Sequence, residues 1–162
     1  MTDITFFRSI KSCFFFVSFF LFSSCNNSRL YERYFEIDPY GWSTKDSINF
    51  QFEITDNPQD TLYQILIGIR HNNEYLYSNI FFFLDIETPD GLHKIDTLQY
   101  LLAEPNGKWL GSGVGEIKFN HLVYKDEYSM KGGLYNINIV HGMRDSILLG
   151  IEDIGLRVEK SN

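Results

Sequence analysis

From Ile48 onward the chain alternates. Ile48, Phe50, Phe52 and Ile54 interleave with Asn49, Gln51 and Glu53, the period-two signature of a strand with one buried and one wet face. The run from Leu62 to Arg70 puts Tyr63, Ile65, Ile67 and Ile69 on one face. Leu62 and Leu66 enrich the other face, as in a central strand. Ile80 to Glu87 repeats the pattern with Ile80, Phe82, Leu84 and Ile86 inward. Thr88-Pro89-Asp90-Gly91 follows, a turn in which Pro presets φ and Gly accepts a positive φ. It closes a hairpin onto Leu92 to Leu102. Three more strands are expected, Glu116 to Tyr124, Gly133 to His141 and Ile151 to Glu159. No segment sustains a helical period. Short strands with turn chemistry between them read as one all-β domain over residues 31–160. Its expected architecture is a single antiparallel β-sandwich, Ig-like or jelly-roll-like, with a closed barrel as the alternative.

Ahead of this domain the pattern changes character. Arg8 and Lys11 precede an apolar run from Cys13 to Phe22, and Ser23-Ser24-Cys25 ends it. This is a lipoprotein signal peptide over residues 1–24. Small side chains at Ser23 and Ser24 suit a narrow peptidase pocket, and the Cys25 thiol accepts a diacylglyceryl group before the cut. The apolar run is about half of the roughly 20 residues a spanning helix needs. Cys25 is therefore the expected lipidation site, with residues 25–30 as a short tether to the membrane.

Processing changes the charge balance. The chain from Cys25 to Asn162 keeps 12 basic and 20 acidic residues, a net charge of −8. That balance argues against nucleic acid and against electrostatic attachment to anionic lipid. Acyl chains would hold the protein instead, each buried methylene contributing about 0.8 kcal/mol. With Cys13 removed and Cys25 acylated, no thiol is left for a disulfide, a nucleophile or a zinc site.

The chemistry-bearing motifs are sparse. Gly111-Ser112-Gly113-Val114-Gly115 invites comparison with a phosphate loop, but no helix and no Gly-Lys-Ser/Thr follow it. These glycines are expected to relieve a bend or bulge between strands. His71, His93, His121 and His141 have no metal-ligand spacing. Asp145 and Asp153 can be drawn with His141 and Ser146 as a triad, although no nucleophile elbow is present. Asp56, Asn57 and Asp60 read as a solvated acidic turn rather than a calcium loop. No cofactor is expected.

Aromatic residues carry more weight. Tyr31, Tyr34, Phe35, Tyr40 and Trp42 crowd the first stretch, and Tyr75 and Tyr77 follow Asn72-Asn73. Tyr and Trp supply stiff contact area with a polar handle, which suits protein interfaces and sugar stacking alike. An exposed patch built from Trp42, Tyr75, Tyr77 and Trp109 is the expected interaction surface, with Asn72, Asn73 and Arg144 as its polar members. The competing expectation places these rings in loop and edge packing. The residues alone thus give a lipid-anchored β-sandwich with no visible catalytic apparatus. A non-enzymatic interaction subunit fits best, ahead of a glycan-binding lipoprotein and a cryptic hydrolase.

Several segments in order also match a known family. They are Gly41-Trp42 with Lys45-Asp46-Ser47-Ile48, then Ile69-Arg70 and Asn72-Asn73-Glu74-Tyr75, then Tyr77-Ser78-Asn79-Ile80-Phe81. Thr88-Pro89-Asp90-Gly91 and Asp96-Thr97-Leu98 continue the series. Gly107-Lys108-Trp109-Leu110-Gly111, Gly113-Val114-Gly115-Glu116-Ile117-Lys118 and His141-Gly142-Met143-Arg144 complete it. As an ordered set, from about Tyr31 to Lys160, they resemble the gliding-motility lipoprotein H (GldH) family of the Bacteroidetes. The resemblance implies a small cell-envelope lipoprotein needed for gliding in species that glide, where the machinery is linked to type IX secretion. Its expected partners are the membrane, through Cys25, and other envelope proteins. It brings no reaction, substrate or catalytic residue. Surface-exported lipoproteins of that phylum often carry acids just after the cysteine. Asn26-Asn27-Ser28-Arg29 has none, which points to the periplasmic face of the outer membrane.

Overall fold

A computed structural model describes residues 28–55 and 61–161. The signal peptide, Cys25 and the acidic turn at Asp56–Asp60 lie outside the described residues. Ten strands follow one another: β1 (Arg29–Glu36), β2 (Trp42–Ser43), β3 (Ile48–Ile54), β4 (Leu62–His71) and β5 (Asn79–Glu87). They continue as β6 (His93–Leu101), β7 (Lys118–Ser129), β8 (Gly133–His141), β9 (Ile147–Leu148) and β10 (Ile151–Lys160). Two four-stranded antiparallel sheets, ordered β1-β10-β4-β7 and β3-β8-β5-β6, make an all-β, sandwich-like arrangement, and β2 and β9 form a small ribbon. The alternation in sequence maps directly onto the inner faces. Phe50, Phe52 and Ile54 of β3 are buried opposite Ile137, Tyr135 and Gly133 of β8. Ile65, Ile67 and Ile69 of β4 lie opposite Val158, Leu156 and Ile154 of β10 in the other sheet. Each such buried side chain contributes about 1.5–3 kcal/mol from removal of apolar surface from water.

The two sheets meet through aromatic and polar contacts along both edges. On one edge Tyr31 packs on Phe52 and Phe35 on Phe50, both at 5.3 Å between ring centroids. On the other, the Tyr124 hydroxyl donates to Asp96 at 2.5 Å and the Tyr100 hydroxyl to the Val123 carbonyl at 2.8 Å. These contacts set β1 over β3 and β7 over β6. They also fix the two ends of the sandwich.

One end carries Ser28, Lys160, the Thr88–Leu92 turn and the Met130–Gly132 connection. The Lys160 N–H donates to the Ser28 carbonyl at 2.8 Å. In the predicted turn, Gly91 takes φ +77° and its N–H donates to the Thr88 carbonyl at 2.9 Å. Lys131 donates to Asp90 across this end, and that bond is the main reason the Asp90 carboxyl is held down to about 2. The opposite end gathers residues 37–47, 72–78, 102–117 and 142–150. There Gly111 to Gly115 form a turn closed by paired hydrogen bonds between Ser112 and Phe119, at 2.9 and 2.7 Å. That is the bend expected of the glycine run, and it leads into a strand.

The β1 strand and the β2–β9 ribbon were not expected from the pattern. Arg29 and Leu30, assigned to the tether by sequence, are the first two residues of β1.

Candidate functional site

Of the four aromatics expected at the surface, two belong to the core. Trp42 is 1% exposed and Tyr75 is 2% exposed. Trp42 closes the loop-rich end of the core, its ring 6.2 Å from Phe82 and 5.2 Å from His141. Its indole N–H donates to the Asp46 carbonyl at 2.8 Å, so even the polar handle is used internally. Tyr75 lies 5.6 Å from His71, and its hydroxyl donates to the Asn79 carbonyl at 2.7 Å. Burial removes its phenolate from solvent and pushes its pKa well above the usual phenol range. These rings are therefore corrected from contact residues to core residues. Their burial also withdraws two of the rings on which a sugar was expected to stack. Trp109 is partly buried, set edge-on to the His71 ring at 4.5 Å.

The polar candidates divide as well. The Asn72 side chain donates to Glu152 at 2.6 Å and accepts the Glu74 N–H at 2.7 Å, so it shapes its own turn. Asn73 and Arg144 are exposed. The triad does not assemble. The His141 Nε2 pairs with the Trp42 carbonyl at 2.9 Å, Asp145 accepts from Tyr77, and Asp153 pairs with Arg70 on the other sheet. Among the described residues no cluster of three or more metal-ligating side chains forms. Among them also, no helix is long and apolar enough to cross a membrane.

Tyr77 and Arg144 do come together, at a pocket of about 500 Å³ on the loop-rich end. The first wall is the start of β5. Tyr77 precedes it, and Asn79 and Phe81 point to the outer face because their neighbour Ile80 points inward. The second wall is the turn after β8. The Gly142 N–H donates to the Phe81 carbonyl at 2.7 Å, and the Phe81 N–H donates to the Met143 sulfur at 3.4 Å. Gly142 packs closely on this face, where a Cβ would meet the Phe83 ring at 3.0 Å and the Phe81 Cβ at 3.3 Å. The Tyr77 hydroxyl donates to Asp145 at 2.5 Å across the mouth, and that carboxylate raises the phenol pKa. Tyr77 rests edge-on against buried Tyr75 at 5.8 Å, so the core fixes the ring at the surface.

Asn79, Phe81 and Met143 were not singled out from sequence. Phe81 reads there only as the polar-face member of a strand, and Met143 meets it from 62 positions further along the sequence. A second pocket of about 340 Å³ lies among Glu36, Ile37, Pro39, Arg70, Ile117 and Glu152. Its floor, Asp153, is 1% exposed, with Oδ2 paired to Arg70 and Oδ1 buried without a hydrogen-bond partner.

The fold defines a small β-sandwich protein with a pocket at its loop-rich end. The GldH lipoprotein family model matches residues 29–158. A gliding motility lipoprotein GldH homolog of Christiangramia forsetii is 39% identical over 164 residues, covering 96% of this chain and 99% of the relative. The gliding motility lipoprotein GldH of Flavobacterium johnsoniae is 32% identical over 149 residues, covering 88% of this chain and 91% of the relative. The chain belongs to the GldH family of gliding-motility lipoproteins, a membrane-anchored class of the cell envelope. These relatives are named as motility lipoproteins rather than as enzymes. Among solved structures it is similar to a carbohydrate-binding module specific for non-crystalline cellulose, with TM-score 0.47 and 9% identity, covering 81% of this chain and 73% of the other. At that distance the likeness carries neither topology nor ligand.

Proposed function

We propose that this protein is a non-enzymatic interaction subunit of the cell envelope. In this reading Cys25 carries the lipid anchor, the domain faces the periplasm from the outer membrane, and the loop-rich end docks onto a motility or secretion-linked complex. One observation supports it most. Ser28 lies at the end of the sandwich opposite the Tyr77–Arg144 pocket.

The geometry then follows from chain dimensions. Only Asn26 and Asn27 lie between Cys25 and Ser28, a reach of at most about 10 Å. The Ser28 end is thereby held against the bilayer. Strands of nine or ten residues rise about 3.3 Å per residue, so the loop-rich end stands about 30 Å further out. The exposed apolar side chains there fit a contact surface. Tyr40 is 87% exposed, Leu76 82% and Val114 97%, well away from the anchored end where lipid would meet them.

In-cell crosslinking of a C-terminally tagged, lipidated copy, followed by purification, tests this reading. A defined set of envelope proteins is expected, lost when Tyr77→Ala and Met143→Ala are combined in a variant that still melts cooperatively near wild type. Recovery of nothing above background, or of the same set with that variant, would overturn it. Cys25→Ser should release the protein from the membrane or leave it unprocessed; unchanged membrane fractionation would refute the anchor.

A further inference from the structure

We propose that the Tyr77–Arg144 pocket receives a side-chain carboxylate of a partner protein, presented beside an aromatic or aliphatic residue. This rests on the docking reading above and specifies what that site takes.

Arg29, Arg70 and Arg157 each pair with a carboxylate, and Arg33 lies over the Phe35 ring at 4.5 Å. Arg144 has no ion pair, hydrogen bond or ring contact among the described residues. Its sequence neighbour Asp145 is the obvious counter-ion, but Asp145 is held by the Tyr77 hydroxyl at 2.5 Å. That bond turns the acid toward Tyr77 and leaves the guanidinium open at the pocket mouth. A guanidinium matches a carboxylate with two parallel N–H donors. The Asn79 side-chain amide lines the same pocket, also without a partner among the described residues, and supplies a further donor.

The rest of the pocket is apolar. Tyr77, Phe81 and Met143 form its walls, and methionine adapts to irregular apolar shapes. From Phe81 the outer face of β5 continues to Phe83, which is 47% exposed. Leu101 of β6 stands opposite Asn79 and is 62% exposed. An acid flanked by an apolar residue would place its carboxylate on Arg144 and its neighbour on this track. A nucleic acid or anionic lipid would find a single cation at this pocket, on a processed chain of net charge −8, too little for either surface.

Selection of phage-displayed random twelve-residue peptides tests this, using the full lipidated chain in nanodiscs. Peptides enriched on the wild type are expected to carry Asp or Glu within two residues of Phe, Tyr or Leu. The best of them, as a synthetic peptide, should bind about ten- to a hundred-fold more weakly to Arg144→Glu. Arg144→Lys should lose less, and replacing the peptide acid by its amide should weaken binding to the wild type but recover affinity in Arg144→Glu, where it removes a like-charge repulsion. Enriched peptides lacking acids, or affinity unchanged in Arg144→Glu, would overturn the carboxylate assignment. If crosslinked partners are still recovered in that event, the docking reading stands alone. If no partner is recovered, both fall.

Discussion

Tyr34 lies on the outer face of the β1-β10-β4-β7 sheet across a floor of two glycines, Gly155 and Gly68, which are directly paired. A Cβ at Gly155 would stand 2.2 Å from the ring and one at Gly68 2.6 Å. Glycine is needed here for space, because the ring occupies the place a side chain would take. Gly155→Ala is expected to destabilise by about 1–3 kcal/mol through overpacking, read as a lower melting temperature. In a Tyr34→Ala background the same change should cost far less, a coupling that a double-mutant cycle measures. Trp42 and Tyr77 make the contrasting pair. Trp42→Ala empties the core end and should cost about 3–5 kcal/mol. Tyr77→Ala loses an exposed hydrogen bond and should cost about 1 kcal/mol. Equal losses would contradict their assignment to core and surface.

Two strand ends bury a histidine each, His71 on β4 and His141 on β8. Burial lowers both pKa values from the ordinary histidine range. The unfolded chain, titrating near about 6.5, then binds protons that the folded chain refuses. Stability should be flat above about pH 7 and fall as pH drops below about 6.5, toward the lowered folded values. Thermal melts across that window check this, and His71→Gln with His141→Gln should flatten the profile.

At this scale the sequence was most legible where burial alternates cleanly. β3 and β8 have the bounds the pattern predicts, Ile48–Ile54 and Gly133–His141. β1 escaped because Arg33 occupies an inward position between Tyr31 and Phe35, stacked over the Phe35 ring at 4.5 Å. That interrupts the apolar alternation although the strand pairs along its length with β10. β2 and β9 have two residues each, too few to show any period. Trp42 and Tyr75 were misplaced for a related reason. Trp42 opens the two-residue β2 and Tyr75 sits in the connection between β4 and β5, where period-two burial gives no signal, and both spend their polar atoms on backbone carbonyls.

For the whole molecule, the proposed function uses the polarity of the sandwich, with the family's lipid anchor at one end and the Tyr77–Arg144 pocket at the other. Tyr77 and Arg144 were legible as candidates one by one. Their meeting was not, since 67 residues of chain separate them and only the β5–β8 pairing brings the two loops together. The anchor end carries Lys131 and Asp90 paired across exposed turns, with Leu92 and Leu134 exposed beside them. Photo-crosslinking amino acids placed singly in the lipidated protein in living cells compare the two ends most directly. A discrete protein adduct is expected from Asn73 and Leu76 at the loop-rich end and none from Asp90 and Lys131. Adducts confined to Asp90 and Lys131, or none from Asn73 and Leu76, would contradict the docking reading.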